Sequence, residues 1–163
     1  MAHIHSNNQF DFTVSAVIIH DDKALMLFHH KLQLWLSPAG HIELDETPID
    51  ALYREIEEET GLKKDNLTLV TPHDDNQTFD RDSVNRGEPL PFDIESHPVG
   101  PDGHRHIDLA YILLSDTADI RVEPGAAEAL TWVTLEELGQ LSPMPKVMYS
   151  RASYALKKVQ ELQ

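Results

Sequence analysis

GHIELDETPIDALYREIEEETGL, residues 40 to 62, decides how the rest of the chain is read. Thr47 has the side chain of a helix N-cap, Pro48 suits the first helical position, and Asp50 lies where the positive end of a helix favours an acid. Gly61 supplies the stop, so the stretch predicts a helix over 48–60. Arg54, Glu55, Glu58 and Glu59 crowd its carboxyl end. Residues three or four apart share a helical face, so Glu55, Glu58 and Glu59 can converge on one point. Three like charges at the negative end of a helix are locally unfavourable and need compensation. Carboxylates without imidazole or sulfur suit a hard divalent cation such as Mg²⁺ or Mn²⁺. A glutamate-rich stripe is also an ordinary solvated face, and an isolated Arg54 an ordinary surface ion-pair partner. The helix by itself leaves both readings open.

The flanking residues separate them. The stretch resembles the Nudix (MutT-like) signature, which fixes a glycine, a glutamate, an Arg-Glu pair with a following aliphatic residue, a Glu-Glu pair, and a closing glycine with an aliphatic neighbour. Here those positions are Gly40, Glu46, Arg54, Glu55, Ile56, Glu58, Glu59, Gly61 and Leu62, and each fixed spacing is kept. The resemblance implies an α/β (α+β) fold: an α/β/α sandwich with a mixed β-sheet and a loop-helix-loop catalytic motif. It implies a hydrolase that cuts the diphosphate bond of a nucleoside diphosphate linked to another moiety X. A nucleoside triphosphate, ADP-ribose or another nucleotide sugar, and a dinucleoside polyphosphate are the substrate classes. Glu55, Glu58 and Glu59 would then hold Mg²⁺ or Mn²⁺, Glu59 foremost, joined by the backbone carbonyl of Ala39. Arg54 would orient the glutamates and pair with Glu46, while Gly40 and Gly61 would be structural. The general base stays open: Glu55 comes first, with Glu88, Asp93, Glu95 and Asp102 outside the signature. A catalytically silent nucleotide-sensing Nudix domain is the alternative from another class, although such domains usually have damaged signatures. An isopentenyl-diphosphate-isomerase-like enzyme is weighed against by the intact glutamates and the lack of cysteine.

Working outward, Phe12 to His20 is rich in β-branched residues and Lys23 to His29 is another apolar run, with Asp21-Asp22 between them as a turn, which predicts a hairpin. Leu34 to Leu36 and His41 to Leu44 read as short extended pieces around Ser37-Pro38-Ala39-Gly40, and Asn66 to Thr71 as a strand. Residues 73–90 are polar and loop-like. Phe92 to Val99 and His104 to Leu114 read as strands joined by Gly100-Pro101-Asp102-Gly103. After a short strand at Ala129 to Val133, Thr134 and Glu137 make a capping box for a helix to about Gln140. A helix over Pro143 to Gln163, with Val147, Met148, Ala152, Ala155, Leu156 and Val159 on its apolar side, closes the chain. No repeat or linker divides residues 1–163, so a single domain is expected.

The net charge of −15 argues against bulk nucleic acid as a partner and leaves a small nucleotide possible if a cation inverts the local field. No apolar run is long enough for a membrane span, and the first ten residues lack the pattern of a secretory signal. The absence of cysteine excludes disulfides and thiolate chemistry and fits a reducing cytoplasm. A homodimer is compatible with the family resemblance, and no exposed apolar face demanding one is legible.

Ten histidines form the second signal. His104, His106 and Asp108 alternate along a strand and so share a face, with His97 on the preceding strand close by. Three readings stay open: a polar sheet face, contacts to the substrate, or a His-x-His chelate for zinc or another transition metal. His97, His104, His106 and Arg86 are the candidate substrate-binding residues. Phe79, Arg81 and Phe92 in the same variable half can pack, stack on a base or hold a phosphate. His3, His5, His29 and His30 are expected at the surface.

Overall fold

The structure, a computed structural model, describes residues 10–71, 87–101, 103–122 and 127–162. Its strands are β1 (Phe10–His20), β2 (Lys23–His29), β3 (Leu34–Leu36), β4 (Ala39–His41), β5 (Leu67–Val70), β6 (Asp93–Pro98), β7 (Arg105–Ser115) and β8 (Ala129–Val133). Its helices are α1 (Pro48–Thr60), α2 (Leu135–Leu138) and α3 (Lys146–Leu162). The β1–β2 turn at Asp21 takes φ 52°, a conformation that aspartate tolerates.

The sheet is mixed. β1 and β7 run parallel through its centre, in register from Phe10 opposite Arg105 to Ile19 opposite Leu114. Along the outer edge of β1, β4 pairs antiparallel with Thr13–Ser15 and β2 with the far end. The outer edge of β7 is divided likewise, between β6 on Arg105–Ala110 and β5 on Ile112–Ser115. β8 extends the sheet beyond β2, and β3 pairs with the Leu27–His29 end of β2.

Alternation along β1 sends successive side chains to opposite layers. Val14, Ala16 and Ile18 pack with Leu25, Tyr111 and Leu113 against Ala51, Leu52 and Ile56 of α1. Val17 and Ile19 pack with Met26 and Ile112 against Ala152, Ala155, Leu156 and Val159 of α3. Helices on both faces of one mixed sheet give the three-layer architecture expected.

Several boundaries differ from those expected. The second extended piece lies at Ala39–His41, because Gly40 pairs with Val14; after Ile42, whose N–H reaches the Phe12 carbonyl, the chain turns through Glu43–Glu46 into α1. A 3₁₀ turn at Lys64–Asn66 delays β5 to Leu67. The last helix starts at Lys146: Pro145 disfavours helix in the residue before it, and the Pro143 carbonyl is taken by the Trp35 N–H. Phe10, Phe12 and Ile94 are more than half exposed, so an apolar surface that was not legible in the sequence is present. No helix among the described residues is long and apolar enough to cross a membrane.

The caps of α1 follow the sequence. The Thr47 hydroxyl accepts from the Asp50 N–H at 3.2 Å, the Asp50 carboxylate accepts from the Thr47 N–H, and Gly61 takes φ 73°. Thr47→Ala is expected to lower stability by about 1 kcal/mol, read as a shifted urea midpoint with unchanged slope.

Candidate active site

Burying Ala51, Leu52 and Ile56 fixes the rotation of α1 and turns the carboxyl-end glutamates toward β4. Arg54 ties the two together. Its guanidinium donates to both oxygens of Glu46, through Nε at 3.0 Å, to Glu55 Oε1 at 2.7 Å, to Glu58 Oε2 at 3.4 Å and to the His41 carbonyl at 2.9 Å. Glu46 is anchored in turn by the Glu43 N–H at 2.8 Å. The hydrogen bonds from Arg54 hold the Glu46 carboxyl below its ordinary range, and Glu46 above all raises the Arg54 pKa, so the pair is ionised at neutral pH.

The other glutamates behave oppositely. Burial pushes Glu55 up, against the pull of Arg54. Burial also pushes Glu59 up to about 8, with Glu55 and Glu58 adding to the effect and one hydrogen bond from the Ala39 N–H, at 2.9 Å, opposing it. Gly40 explains how Glu55 fits: a Cβ built there would lie inside the Glu55 carboxylate. Glycine is required by this close approach, whereas at Gly61 it is required by backbone angle. Carboxylates drawn together around a glycine cradle, two of them, Glu55 and Glu59, desolvated, form an all-oxygen donor set, and this fits a hard divalent cation.

Of the other residues singled out in the sequence, His97, His104 and His106 do come together. The His106 ring lies 5.4 Å from those of both His97 and His104. Asp108 does not join them. It accepts hydrogen bonds from Thr13 at 2.8 Å, Ser15 at 2.7 Å and Arg151 at 2.7 Å beneath α3. The acid beside the histidines is Asp11, because parallel pairing sets Asp11 opposite His106. Among the base candidates outside the signature, Asp93 is bound to Arg151 at 2.8 Å, Glu95 lies 3.1 Å from His97, and Glu88 is exposed. Phe92 packs in the core layer beneath α3 and stacks on Tyr154. His30 is exposed as expected, while His29 is half-buried. Arg86, Phe79, Arg81, Asp102, His3 and His5 lie outside the described residues.

Arg151 is a buried charge that reasoning from sequence missed. Its signal was present: it stands four residues after Val147 and four before Ala155, on the apolar stripe of α3.

A three-layer fold whose loop-helix-loop locks an arginine among glutamates defines the Nudix class of proteins. The Nudix domain model matches residues 10–155, and the chain belongs to that family. A Nudix-family hydrolase from Clostridium perfringens superposes with a TM-score of 0.77 at 30% identity, covering 91% of this chain and 97% of that one. A probable DHNTP pyrophosphohydrolase of Lactococcus lactis subsp. cremoris is 30% identical over 107 residues, 66% of this chain and 55% of the relative. An RNA pyrophosphohydrolase of Pseudomonas putida is 39% identical over 56 residues, 33% of this chain and 35% of the relative. The match thus spans about half the first curated relative and about a third of the second.

Proposed function

We propose that the chain is a Mg²⁺- or Mn²⁺-dependent hydrolase of a small nucleoside diphosphate derivative. The observation that carries this reading is the set of glutamates 55, 58 and 59 gathered at the Gly40 loop, Glu55 and Glu59 desolvated, with Arg54 holding Glu55 and Glu58 and the Ala39 N–H holding Glu59. Glu55, Glu58 and Glu59, with the Ala39 carbonyl, are the residues that would hold the cation. When bound, such an ion neutralises diphosphate oxygens and lowers the pKa of a water. Glu55 is assigned as the base that takes the proton of the attacking water, and its raised pKa suits that task. Arg54 keeps Glu55 and Glu58 oriented, and the Ala39 N–H does the same for Glu59. A groove of about 510 Å³ beside the signature loop, lined by Phe10, Phe12, Ile42 and Leu44, has the size and apolar walls for a base.

The test is product release from a panel: nucleoside triphosphates, DHNTP, ADP-ribose, a dinucleoside polyphosphate and 5′-triphosphate RNA, each with Mg²⁺ or Mn²⁺. A small nucleotide is expected to be cut faster than RNA, given the net charge of −15. Binding without cleavage of any member would replace the hydrolase by a nucleotide sensor. Gly40→Ala is expected to lower turnover roughly 10- to 100-fold with little change in thermal midpoint, because the new Cβ displaces the Glu55 carboxylate and leaves the backbone in place.

A further inference from the structure

Gly40 points at Glu55 on the α1 side of the sheet, and alternation sends the next residue, His41, to the other face. There it meets Asp11 of β1 and His106 of β7, and Asp11 in turn meets His104 just before β7. One ligand atom each from Asp11, His104 and His106 lies within 4.8 Å of the other two. His104 Nε2 is 3.2 Å from Asp11 Oδ2. His41 Nε2 is 3.2 Å from His106 Nε2 and 3.7 Å from Asp11 Oδ2.

We propose that Asp11, His104 and His106 form a second cation site, selective for a borderline transition metal of the Zn²⁺ class, with His41 beside it and a water completing four-fold coordination. A tetrahedral ion with bonds of about 2.0–2.2 Å has ligand atoms about 3.3–3.6 Å apart, close to the 3.2 Å between His104 Nε2 and Asp11 Oδ2 and inside the 4.8 Å that spans all three ligand atoms. Imidazole nitrogens with one carboxylate are a Zn²⁺ donor set, whereas Mg²⁺ seeks oxygen, so the two cation sites select different metals. Burial, followed by the neighbouring histidines 41, 97 and 104, pushes the His106 pKa down to about 4. His97 borders the group, its ring 5.4 Å from that of His106 and its Nδ1 3.1 Å from Glu95.

The test uses the full chain carrying His3→Ala and His5→Ala, which removes the amino-terminal histidines as a rival chelate. Zn²⁺ is titrated calorimetrically in excess Mg²⁺, and Co²⁺ is followed by its visible absorption band. One equivalent is expected, with the Co²⁺ spectrum of a four-coordinate nitrogen-containing site. His106→Gln should weaken binding by about 100-fold or more, and His104→Asn should do the same, each with its folded state checked by thermal unfolding in EDTA. Glu59→Gln should leave Zn²⁺ binding unchanged. The proposal is overturned if the parent binds no Zn²⁺, if folded His106→Gln and His104→Asn bind as the parent does, or if binding is lost in Glu59→Gln. Absence of Zn²⁺ binding together with a raised KM in His106→Gln would assign the histidines to substrate.

Discussion

Glu59→Gln is expected to lower turnover at least about 10³-fold and, in the same protein, to raise the thermal midpoint above pH 7 when no divalent cation is present. The first effect follows from the proposed role of Glu59 as foremost cation ligand: loss of charge stabilisation worth several kcal/mol, at about 1.4 kcal/mol per decade, gives that size. The second follows from burial. A carboxyl whose folded pKa is raised to about 8 from an ordinary 4.5 keeps its proton in the folded state while the unfolded chain has lost it. Between those values the folded state binds more protons, so stability falls as pH rises, and the loss is complete above about 8. Glu55, raised by burial, acts in the same sense; Glu46, lowered by Arg54, contributes stability that disappears only on acidification. A glutamine carbonyl can still accept the Ala39 N–H while carrying no charge. Thermal midpoints from pH 5 to 9 in EDTA, with turnover in Mg²⁺, check both effects. A variant keeping a tenth of its activity would remove Glu59 from the proposed cation site, and an unchanged pH slope would show its burial to be inconsequential. Adding Mg²⁺ to the parent should restore more stability at pH 8 than at pH 5.

Arg151→Met is expected to lower stability by about 3–5 kcal/mol, roughly 10 °C in midpoint for a chain of this size. The Arg151 side chain is only 4% exposed and donates to Asp93 and Asp108, while Asp108 also accepts from Thr13 and Ser15. Methionine keeps much of the aliphatic stem but leaves the buried Asp108 carboxylate without its cation. Asp108→Asn combined with Arg151→Met should recover part of the loss, because the amide removes the uncompensated charge. The single-variant loss should persist in 1 M NaCl, since buried charges are screened little. A cost below about 1 kcal/mol would mean that Asp108 is stabilised by its two hydroxyl donors alone.

What was legible in the sequence was local. Every determinant of α1 lies within or beside it, from Thr47 and Pro48 to Gly61, and the signature glutamates inherit their placement from that helix. His97 and His106 could be put side by side because two strand-like runs flank a tight turn. What was not legible needed distant partners. Alternation alone grouped Asp108 with the histidines; the β1–β7 register gives that place to Asp11 and leaves Asp108 to Arg151, which sequence offered only as one residue of an apolar stripe. The β4 strand begins at Ala39 because β1 is there to pair with it, and neither strand announces the other.

The parallel pair at the centre of the sheet also bears on how the protein is made. Phe10 meets Arg105, so one edge of β1 stays without its partner until about 95 more residues have left the ribosome. At about 5–20 residues per second that is roughly 5–20 s. Through that interval the run from Val14 to Ile19, fully buried in the finished fold, is an open, apolar strand edge of the kind that recruits other chains. Slowing synthesis between residues 20 and 105 should therefore lower soluble yield while leaving the folded molecule the same.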